Sequence, residues 1–393
     1  MKFIVFAFQL FLLCNFSYSQ NVKKSMKRLP DTGEVNSYTS TFGEDNDYTI
    51  HPPFFIVNGN GTVTDTITNL MWQQTDGGEM SIESAQLYCD SLNLAGYSDW
   101  RLPNAHEAFS ILNHQYSNPA LDITIFPKTL AEYWWTSDKQ VNDVSKIWAT
   151  NSGGGIGNHP KSETISAGGI KRFHARAVRD IGNVVFITSQ FTDNGNGVII
   201  DNFTGLTWQK TLTVDTLTWE QALVYADTLT SAGISDWRLP NIKELQSIND
   251  ETRIKPSLNT QYFNISSTKK YWSSTTLPNQ ITKAWYLDTQ YGVVTYDFKT
   301  LKHNTILVNG NQVSTGIASN RNEILTAFPN PFSSFIHLNI KSQNTQYILT
   351  NTLGKIIYIG NDIELQDFSS IAQGIYLLKI IDKTSSTIKL NKI

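Results

Sequence analysis

Two cysteines, Cys14 and Cys89, are all that 393 residues contain, and methionine occurs only four times. Cys14 sits in an apolar N-terminal run. The remainder therefore cannot close an internal disulfide, and stability has to come from cores rather than staples. Charged residues make up 17 % of the chain and the net charge is −3, which excludes a basic nucleic-acid footprint and a charged disordered tail. No apolar run is long enough to span a bilayer. The seven histidines are scattered, with no H-x-x-x-H pair, so no zinc or other metal site and no cofactor is expected. Tryptophan is absent from the last hundred residues, although ten lie between Trp72 and Trp285. That shift in composition sets off a separate C-terminal domain.

What is present begins with an export signal. Lys2 precedes the apolar run Phe3 to Leu13, and Ser17-Tyr18-Ser19 supplies small residues where a signal peptidase reads. Residues 1–19 read as a signal peptide cleaved before Gln20. Leu13 is too large to precede a lipid-modified Cys14. Residues 20–53 read as a lead-in. They contain Leu29-Pro30-Asp31-Thr32-Gly33, a sortase-like string without the apolar span that sortase substrates carry. This stretch is expected to be exposed and open to proteases.

Internal repetition organises the middle. Asp65-Thr66-Ile67-Thr68-Asn69-Leu70-Met71-Trp72-Gln73 returns as Asp201-Asn202-Phe203-Thr204-Gly205-Leu206-Thr207-Trp208-Gln209, and Ser98 to Asn104 (SDWRLPN) returns as Ser235 to Asn241. Tyr133-Trp134 aligns with Tyr271-Trp272, and Trp148 with Trp285. Two domains of one fold follow, 54–182 and 183–308. A Gly/Asn/Ser linker at 309–322 and a tail domain at 323–393 complete the chain. In each repeat Asn-Gly pairs predict a hairpin ending at Trp72 or Trp208. A helix then runs from Ser81 or Thr218 and ends at Gly96 or Gly233. A second short helix is capped by Asn104 or Asn241. Short strands around Trp134, Trp148 and Ala177 follow. The class is α+β, with two helices against small antiparallel sheets.

The set D-x-x-T-[NG]-L-x-W-Q, then S-D-W-R-L-P-N-x-x-E, then Y-W and a later lone tryptophan resembles the Lcl C-terminal domain family, a domain of unknown function. The resemblance implies two tandem C-type-lectin-like domains and an adhesive or glycan-binding role. It also implies a cysteine partner for Cys89 in a closing R-C-V-R strand, where Arg176-Ala177-Val178-Arg179 has alanine. The calcium-dependent sugar triplets E-P-N, Q-P-D and W-N-D are absent. Ala327-Phe328-Pro329-Asn330-Pro331, Gly354-Lys355 and Gly374 to Ile380 resemble a type IX secretion sorting domain, a small β-sandwich. That implies handling by the type IX machinery and a cell-surface or secreted destination.

Trp72, Trp100, Arg101 and Glu107, with Trp208, Trp237, Arg238 and Glu244, read as a fold signature: tryptophans in the core and each arginine bridging to its glutamate. Asp99, Glu107, Asp236 and Glu244 do not form a hydrolase pair, and capping accounts for the glutamates. Ligand-binding residues are sought where the repeats differ. Asn151 to Lys171 is a Gly-rich stretch longer than its counterpart and carries His159, Lys161 and Lys171. Trp135, aligned with Ser273, is turned outward by strand alternation. The expectation is an exported, non-enzymatic adhesin whose partner is a glycan or matrix polymer. The alternatives are an extracellular enzyme or a structural spacer.

Overall fold

The computed structural model describes residues 22–48, 50–163, 172–182, 185–187, 189–211, 215–310, 327–328, 331–338, 345–351, 355–381 and 385–393. The signal segment, Lys171 and residues 311–322 of the linker lie outside them. The chain divides into two compact units, residues 1–314 and 315–393.

In the first unit each repeat opens on a tight hairpin whose sequence is dictated by backbone chemistry. Asp65 Oδ1 accepts from the amides of Ile67 and Thr68, and Asp201 Oδ1 does the same for Phe203 and Thr204. These Asx turns explain the D-x-x-T element. Asn69 and Gly205 follow with φ of 60° and 78°. The position therefore takes asparagine or glycine and nothing β-branched. The hairpin strands, Thr62–Asp65 with Leu70–Gln73 and Val198–Asp201 with Thr207–Gln209, each sit in a four-stranded sheet that the end of the same repeat completes.

Helix α1 (Ile82–Ser91) is capped by Ser81, and α3 (Trp219–Thr228) by Thr218 with Gln221 returning the bond. Gly96 and Gly233 do not end these helices. The helices stop at Leu92 and Leu229, and the glycines follow Ala95 and Ala232 in tight left-handed turns bridging Leu94 to Tyr97 and Ser231 to Ile234. Helices α2 (Ala105–Ser110) and α4 (Ile242–Ser247) carry full capping boxes, Asn104 with Glu107 and Asn241 with Glu244.

One seven-stranded sheet runs through both repeats. In chain order its strands are β1 (Tyr133–Gln140), β2 (Asp143–Asn151), β3 (Ile156–Pro160), β4 (Phe173–His174), β5 (Lys270–Thr276), β6 (Lys283–Asp288) and β7 (Val293–Phe298). Their spatial order is β5-β6-β7-β3-β2-β1-β4. The repeats meet where Ile156 of β3 pairs antiparallel with Val294 of β7. These are equivalent residues, since Ile156 pairs with Thr150 in one repeat as Val294 pairs with Leu287 in the other. Like faces like across the seam, as at an isologous dimer interface. A Cβ on Gly155 would lie 2.8 Å from the Val294 carbonyl oxygen, and one on Gly154 3.1 Å from the Trp285 ring, so the strands approach this closely only with glycine there. One hydrophobic core joins Trp72, Trp148 and Phe109 to Trp208, Trp285 and Leu245. The repeats are thus halves of one body rather than separate beads.

The ladders also correct the sequence alignment by one residue. Thr136 Oγ1 donates to the Trp148 carbonyl as Ser273 Oγ donates to that of Trp285. Trp135 Nε1 donates to Met80 O as Trp272 Nε1 donates to Leu217 O. Trp135 is therefore the shared tryptophan, and Trp134 stands opposite Tyr271. Far from facing outward, Trp135 is fully buried, stacked on Phe173 at 4.2 Å.

The lead-in is a docked strap, buried from Leu29 to Thr32 and at Glu44 and Asp45, while Val35 and Phe42 stay exposed. Leu29, Asp31 and Thr32 are 4 %, 7 % and 0 % exposed, so the sortase-like string is closed to proteases. Asp31 takes hydrogen bonds from the amides of Thr32 and Ile50 and from Asn241 Nδ2, while its carbonyl accepts from Lys243 Nζ at 2.7 Å. Asp45 accepts from Thr275 Oγ1, and Glu44 from the amides of Tyr38 and Thr39 and the hydroxyl of Thr276. Burial pushes Asp31 up to about 6 and Lys243 down to about 8, and it holds Glu34 and Asp45 well above the usual carboxylate range. A cavity of about 80 Å³ lies under the strap, lined by Met26, Leu29, His106, Phe109 and Lys243.

In the second unit Ile356–Gly360, Gln346–Asn351, Gly374–Ile381 and Ser385–Lys392 form an antiparallel sheet in that order, and Ala327–Phe328 pairs with His337–Leu338. Phe332, Ile336, Leu349, Phe368, Tyr376, Leu378 and Leu390 fill its own core. Among the described residues no helix is long and apolar enough to cross a membrane.

Candidate functional site

The signature residues build the frame. Trp72, Trp100, Trp208 and Trp237 are buried. Arg101 grips Glu107 through two hydrogen bonds of 2.7 Å, and Arg238 grips Glu244 identically. Each glutamate also caps its helix. Those carboxylates are fully committed and have no lone pair turned to solvent. Asp99, the exposed acid before Trp100, pairs with Arg179 at 2.7 Å.

A buried network belongs to the first repeat alone. Asp76 accepts from Thr129 Oγ1, Trp134 Nε1 and His174 Nδ1, with Arg176 Nη2 3.5 Å away. Burial alone would raise Asp76, but His174 and Arg176 hold it down at about 2. Burial lowers Arg176 to about 10. The second repeat has Tyr271, Asn304 and Ile306 in the places of Trp134, His174 and Arg176. Cys89 lies buried in one cluster with Ala177, its thiol pushed up to about 12 by burial, so it is an inert hydrophobe.

Of the stretch expected to bind a ligand, residues 151–163 are described. Asn151 to Gly155 is the seam turn, and His159 lies on β3. His159 packs edge-on against Tyr133 at 4.5 Å, which stacks on Phe173 at 4.7 Å, while its Nδ1 lies 3.2 Å from Glu163. Lys161 Nζ stands 4.0 Å from Glu83. Lys171 lies outside the described residues. With Trp135 beneath Phe173, the structure gathers Tyr133, Trp135, His159 and Phe173 into an aromatic stack.

At the equivalent place in the second repeat a cleft is open. Lys270, Asp297 and His303 replace Tyr133, His159 and Phe173. A recess of about 330 Å³ is lined by Lys269, Lys270, Asp288, Gln290, Lys302 and His303, among others. His303 packs on Trp272 and Tyr286, its Nδ1 2.8 Å from the Lys302 carbonyl and its Nε2 3.3 Å from Asp297. The carbonyl can only accept, so Nδ1 carries the hydrogen in the neutral ring. Burial lowers the His303 pKa, against the opposing pull of the Lys302 carbonyl and Asp297. Against burial, Tyr286 and Asp297 hold the Lys270 ammonium above its usual pKa. The rim thus offers three ammonium groups with a carboxamide and a carboxylate, a donor-rich set suited to an anionic, polyhydroxylated ligand. The Lys269-Lys270 doublet was the signal in the sequence; it sits in the repeat without the long loop. Among the described residues no cluster of His, Cys, Asp and Glu is placed to hold a metal ion.

Comparison with known proteins agrees with this architecture. The profile described as Lcl C-terminal domain matches residues 61–179 and 197–309, and that described as Secretion system C-terminal sorting domain matches 326–393. No curated protein matches. Among solved structures the chain is similar to PorZ, an essential bacterial surface component of the type-IX secretion system of Porphyromonas gingivalis. The identity is 15 % and the TM-score 0.17, over 66 % of this chain and 30 % of that one, too slight to fix a shared fold. With more than half of its length matched, the chain belongs to the Lcl C-terminal domain family, in tandem, and ends in a type IX sorting domain.

Proposed function

We propose that this is a non-enzymatic protein of the cell surface or extracellular space that binds an anionic glycan in the cleft of its second repeat. Export starts with a signal peptide at residues 1–19 and finishes through the sorting domain. In this reading each repeat is a C-type-lectin-like scaffold, with two helices packed on an antiparallel sheet and a closing strand beside the opening hairpin. The observation that carries it is the exchange of the aromatic stack of Tyr133, His159 and Phe173 for a cleft rimmed by Lys269, Lys270 and Lys302. Glu107 and Glu244 are spent on caps and clasps and Asp99 on an ion pair, which supports binding over catalysis at these positions. The test is a glycan array probed with the mature chain and with its Lys269→Glu/Lys302→Glu variant. Binding to uronate-bearing or other anionic glycans that the variant loses supports the reading. Binding to none, or equal binding by both, removes it.

A further inference from the structure

The strap covers a face of the second repeat whose counterpart on the first repeat carries no such strap among the described residues, only the Lys161–Glu83 pair at 4.0 Å. On the second repeat it buries Leu223, Ser274, Thr275 and Thr276 to 1 % exposure or less. Tyr48 lies over Arg238, whose side chain is 4 % exposed, and Lys299 stands 3.9 Å from Glu44 while donating to Thr276 Oγ1. Since Thr276 pairs with Ala284 as Lys139 pairs with Ile147, the ladders set Gln86, Ser137, Asp138, Lys139 and Lys161 in the corresponding places. Gln86, Ser137 and Lys139 are exposed, and Asp138 and Lys161 are half-buried. Arg101, the counterpart of Arg238, keeps 31 % of its side chain exposed.

We propose that this face of the first repeat docks an extended peptide segment of another protein, lying as the strap lies on the second repeat. The chemistry of the face specifies the peptide. Where Glu44 meets Thr276 and Lys299, the first repeat presents Lys139 and Lys161, so a carboxylate is required there even more strongly. Where Asp45 accepts from Thr275, the first repeat presents Asp138, whose carboxylate already accepts from the α2 amide of Ala105. A second acid beside it is repelled, and a lysine is attracted. This chain's own strap, with Glu44-Asp45, is thereby rejected, as is the strap of a second copy. The occupant carries Glu-Lys or a similar pair. The proposal is independent of the glycan cleft, which lies elsewhere on the other repeat.

The probe is a labelled peptide with the sequence of residues 37–50 and Asp45→Lys, titrated onto the mature chain beside the unmodified peptide. The lysine peptide is expected to bind at least ~10-fold tighter, since like charges brought together at an interface repel. Asp138→Asn should shrink that gap to within about 3-fold, and Lys139→Glu/Lys161→Glu should weaken the lysine peptide ~10-fold. Melting curves check that the variants fold, and Lys139→Gln and Lys161→Gln serve if the double reversal does not. No binding of either peptide overturns the proposal. So does tighter binding of the unmodified peptide, or binding indifferent to Lys139, Lys161 and Asp138; these would place the peptide in exchange with the strap.

Discussion

The two repeats share a skeleton and differ in what covers it. Both keep the Asx hairpin, the left-handed turn residue, the capped helices and the arginine–glutamate clasp, because each fixes a backbone that few residue types can fix. The second repeat has its clasp sealed by the strap and its sheet end opened into a lysine-rimmed cleft. The first has an open clasp, a closed aromatic stack and an internal Asp76–His174–Arg176 brace. One duplication has thus left one repeat covered and the other more exposed at each of two faces, in opposite arrangement.

The sharpest way to break this comparison is to cut the clasps. Arg238→Met leaves Glu244 buried without its partner and should cost about 3–5 kcal/mol in urea unfolding. Arg101→Met leaves Glu107 equally buried and also frees Asp180, 2.6 Å away, but its side chain is 31 % exposed against 4 % for Arg238, so it should cost less, about 2–3 kcal/mol. Equal losses would mean that the strap does not distinguish the two halves.

The seam comes next. Gly155→Ala forces a Cβ against the Val294 carbonyl and should cost about 1–3 kcal/mol. Gly157→Ala, two residues on in the same strand, meets only ordinary contacts at 3.7 Å or more and should stay within about 0.5 kcal/mol. Thermal melts of the pair report whether the repeats join at β3 and β7.

The strap's pH dependence gives a smaller effect. Asp31 has its folded pKa raised by burial to about 6, above its value in the unfolded chain, so the folded state binds the extra proton. Its contribution is full below about pH 4, declines up to about pH 6 and is constant above. Between pH 4.5 and 7 the wild type should lose about 2 kcal/mol relative to Asp31→Asn, read from paired urea melts. A gap that does not change with pH would show that Asp31 is solvated and the strap undocked.

Much of the frame is legible in the sequence because it is local. D-x-x-T, N-x-x-E and N-G each encode a turn or cap within four residues, and the clasp spans only six, from Arg101 to Glu107. The misreadings come from contacts that sequence distance hides. The strap looks polar and loose because its partners, Asn241, Lys243 and Thr275, lie about two hundred residues away. The register slip arose because Tyr133-Trp134 and Tyr271-Trp272 are identical pairs, and only the ladder to Trp148 and Trp285 reveals that the first repeat carries one more aromatic. Loop length gives no sign of the cleft, because there the chemistry changes by substitution at equivalent positions, Tyr133 to Lys270, His159 to Asp297 and Phe173 to His303.

That the two repeats and their strap form one cooperative body is tested most directly by calorimetry of a chain comprising residues 22–310. The shared sheet, the common core and the buried Asp31–Lys243 contact predict a single transition whose van't Hoff and calorimetric enthalpies agree. Two resolved transitions, or a fragment of residues 54–182 that melts cooperatively by itself, would contradict the account.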